Sequence, residues 1–170
     1  MALRRLTCGS LLAAALISSC GGASFEQHVF DDGRVRYRIG ARPLGYTRVK
    51  VGRNDLAFFE PTLGTIAVNS TCENYEDVPE RALMNHLLFG TRERVFRLEE
   101  VVTLDGRGAL HSVVDVELDG VPITLDIYLL KKDGCIFDLS RTSSRAAFAP
   151  GRRQFEDFAR GFAVLQTRAL

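Results

Sequence analysis

Three Asp-Gly pairs, Asp105-Gly106, Asp119-Gly120 and Asp133-Gly134, recur at a spacing of fourteen residues and constrain this chain more than any other feature. Asp-Gly flanked by alternating apolar residues is a strong hairpin signal, because both residues tolerate the positive φ of a tight turn. A two-residue loop at Asp119-Gly120 sets Leu118 against Val121, Val116 against Ile123, Val114 against Leu125 and Leu110 against Leu129. A slip of one residue would turn Val114 and Val116 to the wrong face. The flanking turns read differently. A two-residue loop at Asp133-Gly134 would set Leu129 opposite Asp138. A three-residue loop, Lys132-Asp133-Gly134, instead pairs Leu129 with Phe137 and Ile127 with Leu139, with glycine at the left-handed bulge. Leu104-Asp105-Gly106 reads likewise, with Phe96 opposite Val114 and Leu98 opposite Ser112. The stretch from about Phe96 to Arg141 is expected to be a four-stranded antiparallel meander.

Upstream, Val29-Phe30 and Val35 to Ile39 flank Asp31-Asp32-Gly33 as a further hairpin, and Leu56 to Phe59 and Gly64 to Cys72 supply more strands. A helix follows, with Asp77 as N-cap, Glu80 completing a capping box, Leu83 and Leu87 as the buried stripe and Gly90 as the stop. A second helix is expected from about Pro150, carrying Phe155, Phe158, Phe162 and Leu165 at helical spacing. Glu156 and Arg160 pair on its wet face, and Gly161 marks close packing. Helices segregated from an antiparallel meander define an α+β domain with a helix-covered sheet. This order of elements, over about residues 28 to 166, resembles the PsbP-like fold of the extrinsic photosystem II proteins and their non-photosynthetic relatives. The resemblance implies a sandwich with two main helices and a role in binding partners or aiding assembly. It transfers no catalytic residue.

Arg4 and Arg5 precede an apolar run, Leu11 to Ile17, far shorter than the roughly 20 residues that cross a bilayer as a helix. It reads as a secretion signal. The run ends in Ile17-Ser18-Ser19-Cys20, which resembles a bacterial lipoprotein signal. That resemblance implies cleavage before Cys20 and acylation of its thiol. Residues 1–19 are then a signal peptide, 20–27 a lipidated tether and 28–170 a single α+β domain, as in small bacterial lipoproteins of unknown function. An ordinary secreted chain, cut near Gly21 to Ala23, is the other reading. Gly21 stands where some bacterial lipoproteins carry an Asp as an inner-membrane retention signal, which favours the outer membrane. At roughly 3.4 Å per residue the tether reaches about 25 Å at most, so the domain works close to the membrane face.

With Cys8 removed and Cys20 acylated, Cys72 and Cys135 remain. An even pair in an exported chain suggests a disulfide. Ile66, Val68 and Cys72 alternate on one strand face, and Cys135, Phe137 and Leu139 on another, so both sulfurs point inward. A metal pair or a redox pair is the rival, but the chain has no CxxC and no histidine at ligand spacing from either cysteine.

Catalytic constellations are sparse. The histidines are His28 in the tether, His86 between Leu83 and Leu87 on the first helix, and His111. His111 alternates with Val113 and Asp115, so it shares a strand face with a carboxylate. It is either an oriented general base or a partly exposed histidine beside a solvated acid. No GxSxG, HExxH, Walker-type loop or GxGxxG occurs. Glu99 and Glu100 face opposite sides of a strand, and Asp31-Asp32-Gly33 is turn chemistry before it is a cation site. No cofactor or metal is expected.

Charge is informative where it clusters. Apart from Arg4 and Arg5, 20 basic residues face 21 acidic ones, a poor match for nucleic acid. An apolar fraction of 46% with 25% charged residues excludes a disordered tail, a collagen and a polytopic membrane protein. Yet Arg34, Arg36, Arg38, Arg42, Arg48, Lys50 and Arg53 occur with no acid between Gly33 and Asn54. Arg34, Arg36 and Arg38 line one strand face. They form either a solvated face countered by Glu73, Glu76 and Asp77, or, with Arg48 and Lys50, a contact for an anionic envelope surface. The expected protein is a non-enzymatic, lipid-anchored envelope module that binds or helps assemble another envelope component. The alternatives are a small envelope hydrolase using His111 and Asp115, and a purely structural surface lipoprotein.

Overall fold

The structure, a computed structural model, describes residues 22–52, 54–72 and 77–168; Cys20, Arg53, Glu73 and Glu76 lie outside the described residues. Short strands come first: β1 (Ser24–Glu26), β2 (Val29–Asp31), β3 (Val35–Arg38), β4 (Thr47–Val49), β5 (Leu56–Glu60) and β6 (Gly64–Thr71). Helix α1 (Glu80–Leu87) leads into the long strands β7 (Arg92–Leu104), β8 (Arg107–Leu118), β9 (Val121–Lys132) and β10 (Cys135–Ser144). Helix α2 (Phe148–Arg160) and strand β11 (Ala163–Thr167) follow. The strands make a seven-stranded sheet in the order β4-β5-β6-β10-β9-β8-β7 and a four-stranded sheet in the order β1-β2-β3-β11, with every pairing antiparallel.

The period-two alternation of the long strands feeds two separate cores. Leu110, Val114, Val116, Ile127 and Leu129 pack with Leu83, Met84 and Leu88 of the α1 segment. From the other face Tyr128, Leu130, Phe137 and Leu139 meet Tyr37 and Ile39 of the smaller sheet and Phe155, Phe158 and Phe162 from the α2 region. Burial of each phenylalanine contributes roughly 2–3 kcal/mol. The result is an α+β sandwich with the larger sheet in the middle.

The expected meander forms, and the Asp119-Gly120 register holds from Leu118↔Val121 to Leu110↔Leu129. The other two turns are corrections. Asp133-Gly134 is also a two-residue loop, with Cys135 opposite Lys132, Phe137 opposite Leu130 and Leu139 opposite Tyr128. Leu129 therefore does face Asp138. In all three turns both central residues have positive φ, Asp at 48 to 51° and Gly at 73 to 81°. That geometry matches the twist of the flanking strands, and it outranks the pairing of side chains. The one-residue difference moves Phe137 and Leu139 from the α1 side to the α2 side, where the disulfide also lies. At Asp105-Gly106 the loop again has two residues, with Leu104 opposite Arg107 and Leu98 opposite Val113. A bulge between Phe96 and Leu98 then restores Phe96 to its expected place opposite Val114.

Other elements depart from expectation for identifiable reasons. The N-cap of α1 is Pro79, not Asp77, and Glu80 is its first residue, so no capping box forms. Proline's fixed φ starts the helix instead. The buried stripe is Leu83, Met84 and Leu88, whereas Leu87 is 37% exposed. Helix α2 ends at Arg160 because the chain turns at Gly161 to bury Phe162 between Tyr37 and Phe137. Leu165 is thus an exposed residue of β11, which pairs with β3. Glu156 pairs with Arg152 rather than Arg160, and Arg160 pairs with Asp157. Ser24–Glu26, expected within the tether, pairs with β2 as β1. Cys72 and Cys135 are joined, S–S 2.08 Å, as the strand faces suggested.

Candidate functional site

His111 stands on β8 with its side chain on the α2 side, and the Asp119-Gly120 hairpin register places Tyr128 opposite it and Asp126 opposite Val113. The imidazole stacks on the Tyr128 ring, centroids 4.0 Å apart and planes within 4°. Nε2 lies 2.8 Å from Asp126 Oδ1. A carboxylate only accepts, so Nε2 carries a hydrogen there. Nδ1 lies 3.5 Å from Oε1 of Glu100, the residue opposite His111 on β7. His111 is 4% exposed and Asp126 1%, so the expected partly exposed histidine beside a solvated acid is corrected. Asp115 is not the partner either, because its carboxylate accepts from Thr124 Oγ1 at 2.6 Å and lies 3.6 Å from Arg97.

The histidine forms part of the floor of a cavity of about 240 Å³ between the sheet and α2, walled by Glu100, Leu104, Tyr128, Arg152 and Glu156. Burial, reinforced by the Asp126 charge, pushes the Tyr128 hydroxyl pKa up. Deeper on the same face, Arg141 is fully buried opposite Asp126. Its guanidinium donates to the carbonyls of Phe148, Ala147 and Leu63. Asp126 and Arg141 were legible as neighbours of this site only through register. Alternation from Cys135 puts Arg141 on the inward face, and alternation from Tyr128 does the same for Asp126.

A second cavity, about 340 Å³, opens under α1, between Leu83, Leu87, Leu129 and Ile136 with Asp138 in its wall and His86 lining it. Asn69 Nδ2 donates to Asp138 Oδ1 at 2.7 Å, and Asn54 Nδ2 donates to Asn69 Oδ1 at 2.8 Å. Burial pushes the Asp138 pKa up to about 6 against the Asn69 bond, with a further push from Asp55. His86 itself is exposed, and His28 occupies the β1–β2 turn at φ 67°.

The basic residues divide between the two sheets. Arg36 and Arg38 are exposed on β3 while Val35 and Tyr37 are buried, as alternation requires. The β2–β3 turn supplies acids for two of the cluster: Arg34, just before β3, pairs with Asp32 at 3.0 Å, and Arg36 lies 3.7 Å from Asp31. Arg48 belongs to β4, at the edge of the larger sheet, with its guanidinium 5.0 Å over the Phe25 ring, and Lys50 follows it. Arg48, Lys50 and Asp55 share a cavity of about 570 Å³ with Ala23. Among the described residues no group of three or more His, Cys, Asp or Glu side chains could hold a metal ion. Among the same residues no helix is long and apolar enough to cross a membrane.

No protein-family model matches this sequence, and no curated protein matches it. Solved structures do. The chain is similar to cyanobacterial PsbP (CyanoP) from Synechocystis sp. PCC 6803 at 13% identity, over 92% of this chain and 99% of that one, TM-score 0.50. It is similar to LpqN, described as involved in cell envelope biogenesis of Mycobacterium tuberculosis, at 10% identity over 76% and 84%, TM-score 0.54. PA94, a Pseudomonas aeruginosa protein of unknown function, matches at 10% identity over 74% and 83%, TM-score 0.51. At such identities the likeness carries the fold alone, and that fold is the PsbP-like α+β sandwich.

Proposed function

We propose that this chain is a lipid-anchored cell-envelope protein whose domain binds or helps assemble another envelope component. The observation that carries the reading is the Cys72–Cys135 bridge. Such a staple persists in an oxidising compartment, which is where a chain with the Ile17-Ser18-Ser19-Cys20 leader would be delivered. The likeness to LpqN points the same way. The preference for binding over catalysis is supported by His111: each ring nitrogen faces a carboxylate, Asp126 or Glu100, rather than a hydroxyl or thiol to be activated. One observation favours a hydrolase as the second reading, namely that His111, held from behind by the buried Asp126, lines an open cavity.

Mass spectrometry of the N-terminal peptide from the membrane fraction is expected to find an acylated Cys20, and Cys20→Ala to abolish both acyl mass and membrane retention. Cross-linking in the native envelope is expected to capture one dominant component, with His111→Gln leaving that capture intact. A soluble, unacylated native protein would sink the anchor. Turnover of ester or peptide substrates that disappears in His111→Gln would replace the binding reading with the hydrolase.

A further inference from the structure

The strand registers bring several separated segments to one end of the larger sheet. Val49 faces Ala57, Leu56 faces Val68, Thr71 faces Ile136, Cys135 faces Lys132 and Arg107 faces Leu104. Lys131, Lys132 and Arg107 therefore lie at this end, and Lys50 leaves β4 towards it from a row four residues of β6 short of Thr71. The smaller sheet ends here too, since Thr167 Oγ1 donates to the Asp133 carbonyl and Arg168 N to the Arg34 carbonyl. The N-terminal segment emerges at the same place, because Ala23 lines one cavity with Arg48 and Lys50.

That coincidence has a physical consequence. Ala23 is three residues from Cys20, a reach of about 10 Å even when fully extended. Arg48 is tied to the same strand, its guanidinium resting over Phe25 of β1. Of the acids nearby, Asp105 is bound by Lys132 at 2.6 Å and Asp32 by Arg34 at 3.0 Å, while Asp133 is exposed in the β9–β10 turn and lines one cavity with Arg107 and Lys132. Asp55 accepts from Ser70 Oγ and Tyr37 Oη, and so turns into the protein. Lys50 is exposed, and Val51 beside it is 47% exposed, an apolar tip next to a cation.

We propose that this end of the sheet, with Arg48, Lys50 and Arg107 as its headgroup contacts, rests on the anionic surface of the membrane that holds the Cys20 acyl chains. The inference rests on acylation of Cys20. Anchoring confines the end near the bilayer, and each basic residue then favours anionic lipid by about fivefold. The strands stand away from the bilayer, and the Asp119-Gly120 turn, about 40 Å off along the 12 residues of β8, becomes the far pole.

The test uses the mature, acylated protein reconstituted in phosphatidylcholine vesicles with or without phosphatidylglycerol. Lysines are labelled with acetic anhydride, and the far-pole carboxyls of Glu117 and Asp119 with carbodiimide and an amine. Acyl mass and flotation with the vesicles are recorded first. Labelling of Lys50 is expected to fall about fivefold or more when phosphatidylglycerol is present and to recover in about 0.5 M salt, where screening is strong. Labelling of Asp119 stays level throughout. In the double variant Arg48→Glu with Lys50→Glu, protection of Lys131 and Lys132 is expected to be lost while the protein still floats. Equal lysine labelling on both vesicle types by a protein that floats would overturn the docking surface and leave the anchor standing. A missing acyl mass would overturn both.

Discussion

Asp138 illustrates how one residue is governed by the turn beside it. The two-residue loop at Asp133-Gly134 sets its carboxyl opposite Leu129 and under α1, where Asn69 is the donor it meets. Burial lifts its pKa to about 6, whereas the unfolded chain releases that proton near 3.9. Between about pH 4 and pH 6 the native state binds more protons than the unfolded one, so this group's contribution to stability falls as pH rises through that window. Asp138→Asn keeps the shape and an acceptor for Asn69 and removes the charge. It is expected to raise stability at pH 7.5 by about 1–2 kcal/mol, to change little at pH 4, and to flatten the slope between. Urea unfolding curves at both pH values would measure it. A variant less stable than the parent at pH 7.5 would show that the ionised carboxylate is favoured where it stands.

At the scale of elements, the junction of α2 with the smaller sheet depends on two glycines in contact. A Cβ on Gly161 would lie 2.3 Å from the Gly40 Cα, and one on Gly40 would lie 2.4 Å from the Asp157 carbonyl oxygen. Backbone, not a flexible side chain, is the obstacle in both cases. Gly40 N also donates to the Phe158 carbonyl at 3.0 Å, which fixes the approach. Gly161→Ala, at an ordinary negative φ, is therefore expected to destabilise by about 2–3 kcal/mol through steric overlap alone. Helix propensity by itself would predict a gain of about 1 kcal/mol from the same change, so the sign of the measured shift in thermal midpoint discriminates the two. The sequence-level spacing of Phe155, Phe158, Phe162 and Leu165 runs through this junction as if it were one helix. The periodicity of apolar residues does not register a chain reversal that keeps Phe162 buried.

For the whole molecule, the disulfide joins β10 to the residue just after β6, across a sequence separation of 63. Those strands are central neighbours in the seven-stranded sheet. Removing the cross-link with Cys72→Ala and Cys135→Ala together frees a loop of that size in the unfolded chain, a loss of about 4 kcal/mol in the chain-entropy account. Chemical denaturation of the double variant against the parent, with and without reductant, is the measurement. Reductant is expected to lower the parent towards the variant and leave the variant where it was. A parent insensitive to reductant, with two titratable thiols once denatured, would mean the bridge is not formed.

The long strands, their hairpin order and the inward cysteines were legible because each follows from local rules: Asp-Gly turns, alternation with period two, and sulfur on the apolar face. The α+β class followed from the same patterns. What local rules left open was settled by packing. Whether the Asp133-Gly134 loop holds two residues or three turned on backbone twist across β9 and β10, not on which side chains would prefer to meet. Asp126 met His111, and Arg141 met the carbonyls of Ala147 and Phe148, only when β8, β9 and β10 were aligned and α2 was laid over them. The β11 strand exists because β3 offers an edge, and no feature of Ala163 to Thr167 announces that edge. The division of the basic residues between two sheets, and the meeting of Ala23 with Lys50, likewise belong to the tertiary structure, since distances between segments far apart in sequence depend on how the sheets close.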